Sequence, residues 1–398
     1  MIILKFIQER SMMKSKLFTG TLMPLLILVF LAGVSCHRAP RVEAVSYTVA
    51  ERGVWLNRSE LFAPREELLK LLDDLKAANI TSVYINTYFR GCVVYPDSEF
   101  LPIFAEASEP DVLSWLIPEI HRRGMRAESW VEYGFYAFHT PDASKTEKRG
   151  VFLEKHPELT AVDSSGLDHI HNTQWGDFFS LCPANPKSHE LLGNLFVEGI
   201  KRYPFDGINL DRMRFPNENF CYCEYCKTQF QKDTGLPLKP YPADSPEYKT
   251  FISWRESQLD TFIKTWAPRF RDARPGLKVT MAALPPDMME SHGQNWDHWL
   301  EQGWVDAAMP MLYGEKGFED RIRILSKFPR WDRIYPGVDA HGLSPEVIQR
   351  QIRFLNKEGA QGCVLWYSGQ IADDLPGLAA GPFSQPARSP LSSGKSSK

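Results

Sequence analysis

The sequence predicts an α/β fold, a (β/α)8 TIM barrel with long loops after its third and fourth strands. Three observations lead to this prediction. Short apolar segments alternate with amphipathic helical segments along most of the 398 residues. Eight apolar segments of strand length can be counted. No Gly-rich turn of the GxGxxG form follows the first of them, which disfavours an open doubly wound sheet.

The predicted strands are apolar segments bounded by turn residues. In chain order they are RGVWLN (52–57), SVYINTYF (82–89), RAESWVEYGF (126–135), DGINLDRMRF (206–215), KVTMAAL (278–284), VDAAMPMLYG (305–314), IYPGVDAH (334–341) and GCVLWYSG (362–369). The last four begin 27 to 29 residues apart, the size of a minimal strand-plus-helix unit. A further apolar segment, FFSLCP (178–183), is interpreted as a short strand inside a long loop.

Helices are predicted between the strands from their apolar periodicity and their end signals. In REELLKLLDDLKAANI, Leu68, Leu71, Leu72 and Leu75 fall on one face. The segment SPEVIQRQIRFLNKEG begins with Ser344 as N-cap and ends at Gly359. Helices of this kind cover the outside of a barrel.

Two connections are much longer than the others, residues 136–185 and residues 217–244. In a TIM barrel the loops that follow strands lie at the C-terminal face, where active sites are built. We therefore expect these two loops to form lids or binding walls.

The chain is predicted to have four segments. Residues 1–36 form a signal peptide with a lipobox, residues 37–50 a linker, and residues 51–378 the barrel. Residues 379–398 are Pro/Ser-rich with little apolar surface to bury, which predicts a disordered tail.

The N-terminal segment indicates export. Lys14 and Lys16 precede an apolar run that ends in small residues directly before Cys36. The run resembles a bacterial lipobox, although Gly33 stands where Leu is usual. We predict an exported protein held in the bacterial cell envelope by lipid attachment at Cys36. Ordinary cleavage and an uncleaved membrane anchor are the alternatives.

The charge balance excludes one class of partner. The formal net charge is −3, and acidic and basic residues are interspersed along the chain. A nucleic-acid-binding protein needs a basic patch or stripe, and none is visible. No nucleic-acid partner is therefore expected, and the protein is expected to be a monomer.

The fourth predicted strand carries the main candidate for chemistry. In DGINLDRMRFP, alternation places Asn209, Asp211 and Met213 on the face opposite Ile208 and Leu210. An acid on the inward face of a barrel strand has either a function or a charged partner. The alternative to a functional Asp211 is an ion pair with Arg214 or Arg212 that has only a structural role at the rim of the barrel.

The ends of the other strands supply what a sugar-binding site needs. Aromatic faces stack on sugar rings, while carboxylates, amides and arginines form hydrogen bonds with hydroxyl groups. Each aromatic side chain on its own is equally compatible with core packing. The candidate substrate-binding residues are Asn86, Tyr88, Arg90, Trp130, Arg214, Tyr313, Asp339 and Trp366.

Glycoside hydrolysis requires two carboxyl groups across the scissile bond, one protonated and one ionised. Asp211 and Glu132 are predicted to be this catalytic pair, because they stand on neighbouring strands. Glu132 is the expected proton donor, and Asp211 the nucleophile or base. Reserve acids are Glu315, Asp287 and Asp339.

Several segments in order resemble the glycosyl hydrolase-like 10 family, whose members are often exported as lipoproteins. They are RGVWLN, WVEYGF, EKHPELTAVDSSG, CPANPKSHELLGNLFVEGIKRYPFDGINLDRMRFP and MPMLY, within residues 50–370. The resemblance implies a TIM-barrel hydrolase of bacterial-envelope or environmental polysaccharide, and denuded peptidoglycan strands are one associated substrate class. The family pattern matches Asp211, Arg214, Glu132 and Tyr313.

A weaker likeness to family 18 chitinases breaks down at one position. The fourth strand of those enzymes has the form DxxDxDxE, and here Met213 stands where the acid is expected. Substrate-assisted chemistry of the chitinase type is therefore not implied.

The cysteines form a second cluster. CYCEYC at 221–226, together with Cys182, offers four sulfur ligands for a structural zinc ion. An oxidising compartment would instead favour disulfides among Cys182, Cys221, Cys223 and Cys226. Neither alternative is catalytic, and no catalytic metal or other cofactor is predicted.

Two other functions compete with hydrolysis of a glycan. One is an envelope lipoprotein that binds glycan without cleaving it, with its aromatic residues in place and its acids misplaced. The other is a metal-dependent amidase or deacetylase, which would need a His/Asp cluster such as Asp339 and His341.

Overall fold

Eight parallel strands form at the positions that the apolar segments predict. They are β1 (Glu51–Leu56), β2 (Ser82–Asn86), β3 (Arg126–Val131), β4 (Gly207–Leu210), β5 (Lys278–Ala283), β6 (Ala307–Pro310), β7 (Gly337–Asp339) and β8 (Gly362–Trp366). The computed structural model describes residues 49–105, 109, 111–140, 149–173, 175–340 and 342–392. Cys36 and the predicted signal peptide lie outside the described residues, as does most of the predicted linker.

The strands follow one another around the sheet in the order β6-β5-β4-β3-β2-β1-β8-β7. Each pair is parallel, and β1 lies between β2 and β8. Two isolated parallel bridges, Ala308 to Ile334 and Met311 to Gly337, bring the two edges of the sheet together. The sheet is thus nearly closed as a barrel, and the predicted (β/α)8 fold is confirmed.

Helices alternate with the strands. The helix that completes each unit is α1 (Arg65–Ala77), α2 (Val112–Arg122), α3 (Pro186–Arg202), α4 (Pro246–Ala273), α5 (Trp296–Glu301), α6 (Phe318–Leu325), α7 (Pro345–Lys357) and α8 (Leu375–Ala380). Shorter helices and 3-10 turns are Arg58–Leu61, Val151–Lys155, Pro157–Leu159, Glu224–Thr234, Pro286–Met288, Met289–His292, Trp331–Arg333, Ser368–Ile371 and Ala372–Asp374. Among the described residues, no helix combines the length and the apolar character needed to cross a membrane.

Two helices show why the sequence patterns succeed. Helix α1 buries Leu68, Leu72 and Leu75, the face that the leucine spacing predicts. Ser344 is the N-cap of helix α7, and its hydroxyl accepts a hydrogen bond from the main-chain N–H of Val347 at 3.4 Å.

The inside of the barrel is filled by side chains that alternate along the strands. At its centre lie Trp55, Tyr84, Trp130, Tyr335 and Val364. Asn209 belongs to the same inward set, because its Oδ1 accepts a hydrogen bond from Trp55 and its Nδ2 donates to Thr280. Position 211, two residues later, therefore also lies on the inward side, at the C-terminal mouth.

The long loop after β3 contains a three-stranded antiparallel sheet. Its strands are Tyr136–Thr140, Gly176–Ser180 and His169–Asn172, with the second in the middle. The FFSLCP segment thus overlaps a loop strand and not a ninth barrel strand, as predicted. A small antiparallel hairpin, Tyr88–Phe89 with Cys92–Val93, follows β2.

The C-terminal segment differs from the predicted disordered tail. Residues 379–392 are placed against the N-terminal end of the barrel, where Leu391 is buried in the inner core. Arg126 donates a hydrogen bond of 2.9 Å to the main-chain oxygen of Leu391, and the Ser389 hydroxyl donates to Glu51. Phe383 is also buried. Two buried apolar side chains and these hydrogen bonds therefore hold the Pro/Ser-rich segment against the barrel.

Candidate active site

Asp211 and Glu132 stand at the C-terminal ends of two adjacent barrel strands. The last register pair of β3 and β4 is Val131 with Leu210, and each acid follows its strand directly. Asp211 is 5% exposed and Glu132 is 8% exposed, so both carboxyl groups are nearly buried. The sequence pattern therefore brings these two acids to one end of the barrel.

A glycine lets the chain segments that follow β3 and β4 approach each other. Gly134 has a φ of +48°, and a Cβ at this position would lie 2.1 Å from the main-chain oxygen of Asp211. Phe135 donates a main-chain hydrogen bond of 3.3 Å to Arg212 in the same region. Because no side chain fits between the two segments, the relative placement of the two acids depends on this glycine.

Hydrogen-bond donors surround the Asp211 carboxyl group. Its Oδ1 accepts a hydrogen bond of 2.6 Å from the main-chain N–H of Arg212, and its Oδ2 accepts one of 3.3 Å from Nε1 of Trp130. The Nη1 of Arg214 lies 3.5 Å from Oδ1. That nitrogen makes no hydrogen bond with the described residues, so the contact is a longer ion pair. The expected contact between Asp211 and an arginine therefore exists.

Glu132 has a different environment. Its Oε2 accepts a hydrogen bond of 2.6 Å from Nδ2 of Asn86, and its Oε1 lies 3.4 Å from Nη1 of Arg212. Burial raises the pKa of Glu132; the charge of Arg212 partly offsets this rise, and the charge of Asp211 adds to it. Glu132 consequently keeps its proton to a higher pH than an exposed glutamate does.

Arg212 is the residue that connects the two acids. It lies in the left-handed region with a φ of +48°, and its guanidinium covers the rings of Tyr133 and Tyr136 at 4.7 and 5.4 Å. Burial opposes its charge, but Glu132 and Asp211 outweigh that effect and raise the pKa of Arg212. From the sequence, Arg212 is expected only as a possible ion-pair partner at the rim, because alternation does not predict a left-handed residue at the strand end.

Arg58 is a second charged residue near Glu132 that the strand alternation does not predict. It follows β1 closely, stacks on Phe89 at 3.7 Å, and its charge acts to lower the pKa of Glu132. Arg58 lies two residues after the end of β1, and the ends of barrel strands are where site residues are expected, so this position could have indicated a site residue.

Three of the predicted substrate-binding residues lie together at this mouth. The half-buried ring of Tyr313 lies 5.7 Å from the ring of Trp366, which is also half-buried. Asp339 is the register partner of Trp366 on the neighbouring strand. Burial raises the pKa of Tyr313, and the negative charges of Asp211 and Asp339 raise it further. Tyr313, Trp366 and Asp339 therefore form a partly exposed wall beside the acids.

Trp130 and Asn86 do not form part of an open surface. Trp130 is fully buried and packs edge-on against Trp366 at 5.5 Å, so its ring offers no face to a sugar. Asn86 is fully buried as well. Alternation correctly places both on the inward face, but it does not tell the depth at which a side chain lies. Trp130 donates a hydrogen bond to Asp211 and Asn86 donates one to Glu132, so both residues position the acids.

Tyr88 and Arg90 form hydrogen bonds with the loop that follows β3. Tyr88 is buried outside the barrel, where its hydroxyl donates to the main-chain oxygen of Tyr136 at 3.2 Å. Arg90 donates to the main-chain oxygen of His139 at 2.8 Å. Strand β2 ends at Asn86, so the alternation on which this expectation rests does not continue to these two residues. A role for Tyr88 and Arg90 in binding substrate stays a prediction.

The reserve acids other than Asp339 pair with arginines on the surface. Glu315 contacts Arg350, and Asp287 lies 2.9 Å from Arg321. His341, which an amidase site with Asp339 would require, lies outside the described residues. Within the described part of the chain, the one cluster suited to hold a metal ion consists of Cys182, Cys221, Cys223 and Cys226.

Comparison with known proteins supports a glycoside hydrolase fold. The glycoside hydrolase domain of PgaB (BpsB) from Bordetella bronchiseptica has a TM-score of 0.64 and 17% identity, over 82% of this chain and 97% of that one. The catalytic domain of β-amylase from Paenibacillus polymyxa has a TM-score of 0.60 and 13% identity, over 86% and 99%. At these identities the likeness shows the fold.

Sequence comparison is more specific. Glycosyl hydrolase DigH of Escherichia coli (strain K12) is 21% identical over 276 residues, which are 63% of this chain and 58% of that protein. DigH of Shigella flexneri gives the same values. The chain thus spans less than two thirds of the length of these relatives. The model of the family described as glycosyl hydrolase-like 10 matches residues 50–332. The chain belongs to the glycosyl hydrolase-like 10 family.

Proposed function

We propose that this protein is a glycoside hydrolase that uses Glu132 and Asp211 as its catalytic carboxyl groups. The observation that carries the proposal is the contrast between two acids at adjacent strand ends. Donors surround Asp211, whereas burial raises the pKa of Glu132. Acid-catalysed glycoside cleavage requires a carboxyl group that keeps its proton and a second carboxyl group nearby, and the raised pKa of Glu132 fits it to be the first.

The roles follow from these environments. Glu132 gives its proton to the leaving oxygen as the bond between that oxygen and the anomeric carbon breaks. Asp211 attacks the anomeric carbon or takes a proton from the attacking water. If Asp211 attacks, water then displaces it from the anomeric carbon, supplies the new hydroxyl group and gives its other proton to Glu132. If Asp211 acts as the base, it takes that proton from the attacking water, and both acids return to their starting states by proton exchange with solvent. Arg212 contacts Asp211 through its main-chain N–H and Glu132 through its guanidinium, and in this way it positions the two acids relative to each other.

The substrate is proposed to be a polysaccharide of the bacterial envelope or of the surroundings. The partly exposed wall of Tyr313, Trp366 and Asp339 offers aromatic surface and a hydrogen-bonding carboxylate next to the acids. Export and lipid attachment at Cys36, expected from the sequence, would place the enzyme beside such polymers. Denuded peptidoglycan strands are the first substrate to test.

Glycan binding without cleavage is the second candidate. It is favoured by the low exposure of both acids, 5% and 8%, and by their contacts with Arg214 and Arg212. Such contacts can hold two acids in a purely structural network at the rim. The aromatic wall would then be the functional part of the site.

One experiment separates the two candidates. The chain without residues 1–36 is incubated with stripped peptidoglycan strands, chitin oligomers and plant polysaccharides, and new ends are detected by mass spectrometry. A hydrolase releases products from at least one polymer, and Asp211→Asn and Glu132→Gln each reduce turnover about a hundredfold or more while glycan is still bound. Binding without products from the unmodified chain would support the non-catalytic candidate instead.

A further inference from the structure

Four cysteine sulfur atoms meet between the two long loops. Cys182 lies after the last strand of the loop sheet, and Cys221, Cys223 and Cys226 lie in the connection after β4. All four sulfur atoms lie within 4.8 Å of one another, with Cys182 at 3.4 Å from Cys226 and 3.6 Å from Cys223. All four residues are buried.

This arrangement matches a tetrahedral ligand set. A zinc–sulfur distance of about 2.3 Å places the four sulfur atoms of a Zn(Cys)4 site about 3.8 Å apart along every edge of the tetrahedron. A disulfide needs only two sulfur atoms in contact at about 2.05 Å, and two disulfides give no reason for all four atoms to converge. The mutual closeness of four sulfur atoms therefore favours a metal ion.

A buried arginine beside the cluster provides a second, independent observation. Arg255 is fully buried between the rings of Phe215 and Phe251. Its Nη2 donates to main-chain oxygens of Asn217 and Ser291, whereas Nε and Nη1 have no hydrogen-bond partner in the described part of the chain. Among the described residues it makes no salt bridge with a carboxylate, and the sulfur atoms of Cys221 and Cys226 are within its electrostatic range.

The charges of the two alternatives differ. A zinc ion with four thiolates carries a net charge of about −2, and a buried guanidinium offsets about half of it. Two disulfides are neutral and would leave the buried Arg255 without a close ion pair among the described residues, with the charge of Glu256 acting on it only at longer range, which is unfavourable. The charge balance and the sulfur geometry thus point to the same occupant.

We infer that Cys182, Cys221, Cys223 and Cys226 bind one structural zinc ion and that Arg255 offsets part of the negative charge of this zinc–thiolate site. The ion joins two loops that main-chain contacts already bring together. Tyr222 donates a main-chain hydrogen bond of 2.8 Å to Val162, and Asp163 forms a bridge with Phe220. Zinc would therefore fasten the loop after β3 to the segment that begins at Asp211, without a part in the chemistry.

Metal content and thiol state test the inference on the full-length chain, purified without added metal or reductant. We expect about one zinc per chain by inductively coupled plasma mass spectrometry. We also expect all four cysteines to be alkylated by iodoacetamide after denaturation with a chelator and without a reductant. Disulfide-linked peptides containing these cysteines, with little zinc, would overturn the inference. Iron in place of zinc would overturn the identity of the ion.

Two variants make the test specific. Cys182→Ser should lose most of the zinc, whereas Cys363→Ser, at an equally buried cysteine outside the cluster, should retain it. Equal zinc content in both variants would contradict the ligand assignment. Because Cys182→Ser can also impair folding, Arg255→Met keeps all four ligands and removes only the charge. It should lose zinc to a chelator at least about tenfold faster than the unmodified chain, and an unchanged rate would refute the role of Arg255.

Discussion

Asn86 donates a hydrogen bond of 2.6 Å from its Nδ2 to Oε2 of Glu132, deep in the mouth of the barrel. Both side chains come from the inward face of neighbouring strands. The amide was expected to contact substrate, but it is fully buried and contacts the proposed proton donor instead. Asn86 is therefore a positioning residue, and its effect should be visible in the protonation of Glu132.

Replacement of Asn86 should shift the pH dependence of hydrolysis. The hydrogen bond favours the ionised form of Glu132, so Asn86→Leu should raise the pKa of that acid beyond the rise that burial causes. Loss of about 1 kcal/mol corresponds to about 0.7 pH units. A general acid must be protonated, so kcat/KM falls as pH rises through its pKa. The falling limb of the profile should therefore move to higher pH.

The matched control for this variant is Thr87→Val. Thr87 is also nearly buried, and its hydroxyl lies 2.7 Å from that of Ser129, not from Glu132. This change should leave the falling limb in place. A profile of Asn86→Leu that matches the unmodified enzyme would show that Glu132 is not the acid that limits turnover.

Substitution of Gly134 should destabilise the barrel mouth. Gly134→Ala puts a Cβ 2.1 Å from the main-chain oxygen of Asp211 and forces alanine into a φ of +48°. We expect a loss of about 2 to 4 kcal/mol in the free energy of unfolding, measured by urea denaturation.

Gly235→Ala separates the two contributions to this loss. Gly235 ends a helix with a φ of +76°, and nothing lies within 4 Å of a Cβ built there. This control should lose only about 1 kcal/mol, from backbone strain alone. Equal losses in the two variants would mean that the segments after β3 and β4 move apart at little cost.

Much of the barrel can be predicted from the sequence because its signals are local. Apolar segments of strand length, N-caps such as Ser344 and a leucine face on α1 each depend on a few neighbouring residues. The inward direction of Asp211 follows from the two-residue period of β4. Glu132 lies two residues after Trp130, so the same two-residue period predicts that its side chain also points inward.

Other features depend on distant parts of the chain and escape local patterns. The depth of Trp130 is set by Trp55 and Trp366, on two other strands. Tyr88 leaves the barrel because β2 ends two residues earlier, which alternation does not show. The composition of the segment around Leu391 predicts disorder. Its contacts are with residues at the starts of distant strands, such as Glu51 and Arg126, which composition does not show. A pattern within one segment contains no information about such partners.

The buried carboxyl group of Glu128, on β3, should make the free energy of unfolding depend on pH. Burial raises the pKa of Glu128 to about 7, although Arg126 at 2.9 Å acts in the opposite direction. An acid whose pKa is higher in the folded state contributes stability that is complete below its unfolded pKa of about 4.5 and is lost as pH rises through about 7. The loss over this window is of the order of 2 to 3 kcal/mol.

Urea denaturation between pH 4.5 and 8 tests this effect. In Glu128→Gln the decline of stability across the window should be smaller than in the unmodified chain, whatever the absolute stability of the variant. Glu66→Gln, on the exposed side of α1, should keep the full decline. A parallel decline in all three proteins would assign the pH dependence to other groups.

Removal of the C-terminal segment should open the N-terminal end of the barrel. A chain that ends at Gly381 lacks Phe383 and Leu391, both buried, and it also lacks the Ser389 hydroxyl that donates to Glu51. Loss of two buried apolar side chains should lower the free energy of unfolding by about 3 to 6 kcal/mol. A chain that ends at Ser392 keeps all of these contacts and should unfold like the full chain. If both truncated chains were equally stable, the segment would contribute nothing to the barrel, and its burial would have no energetic consequence.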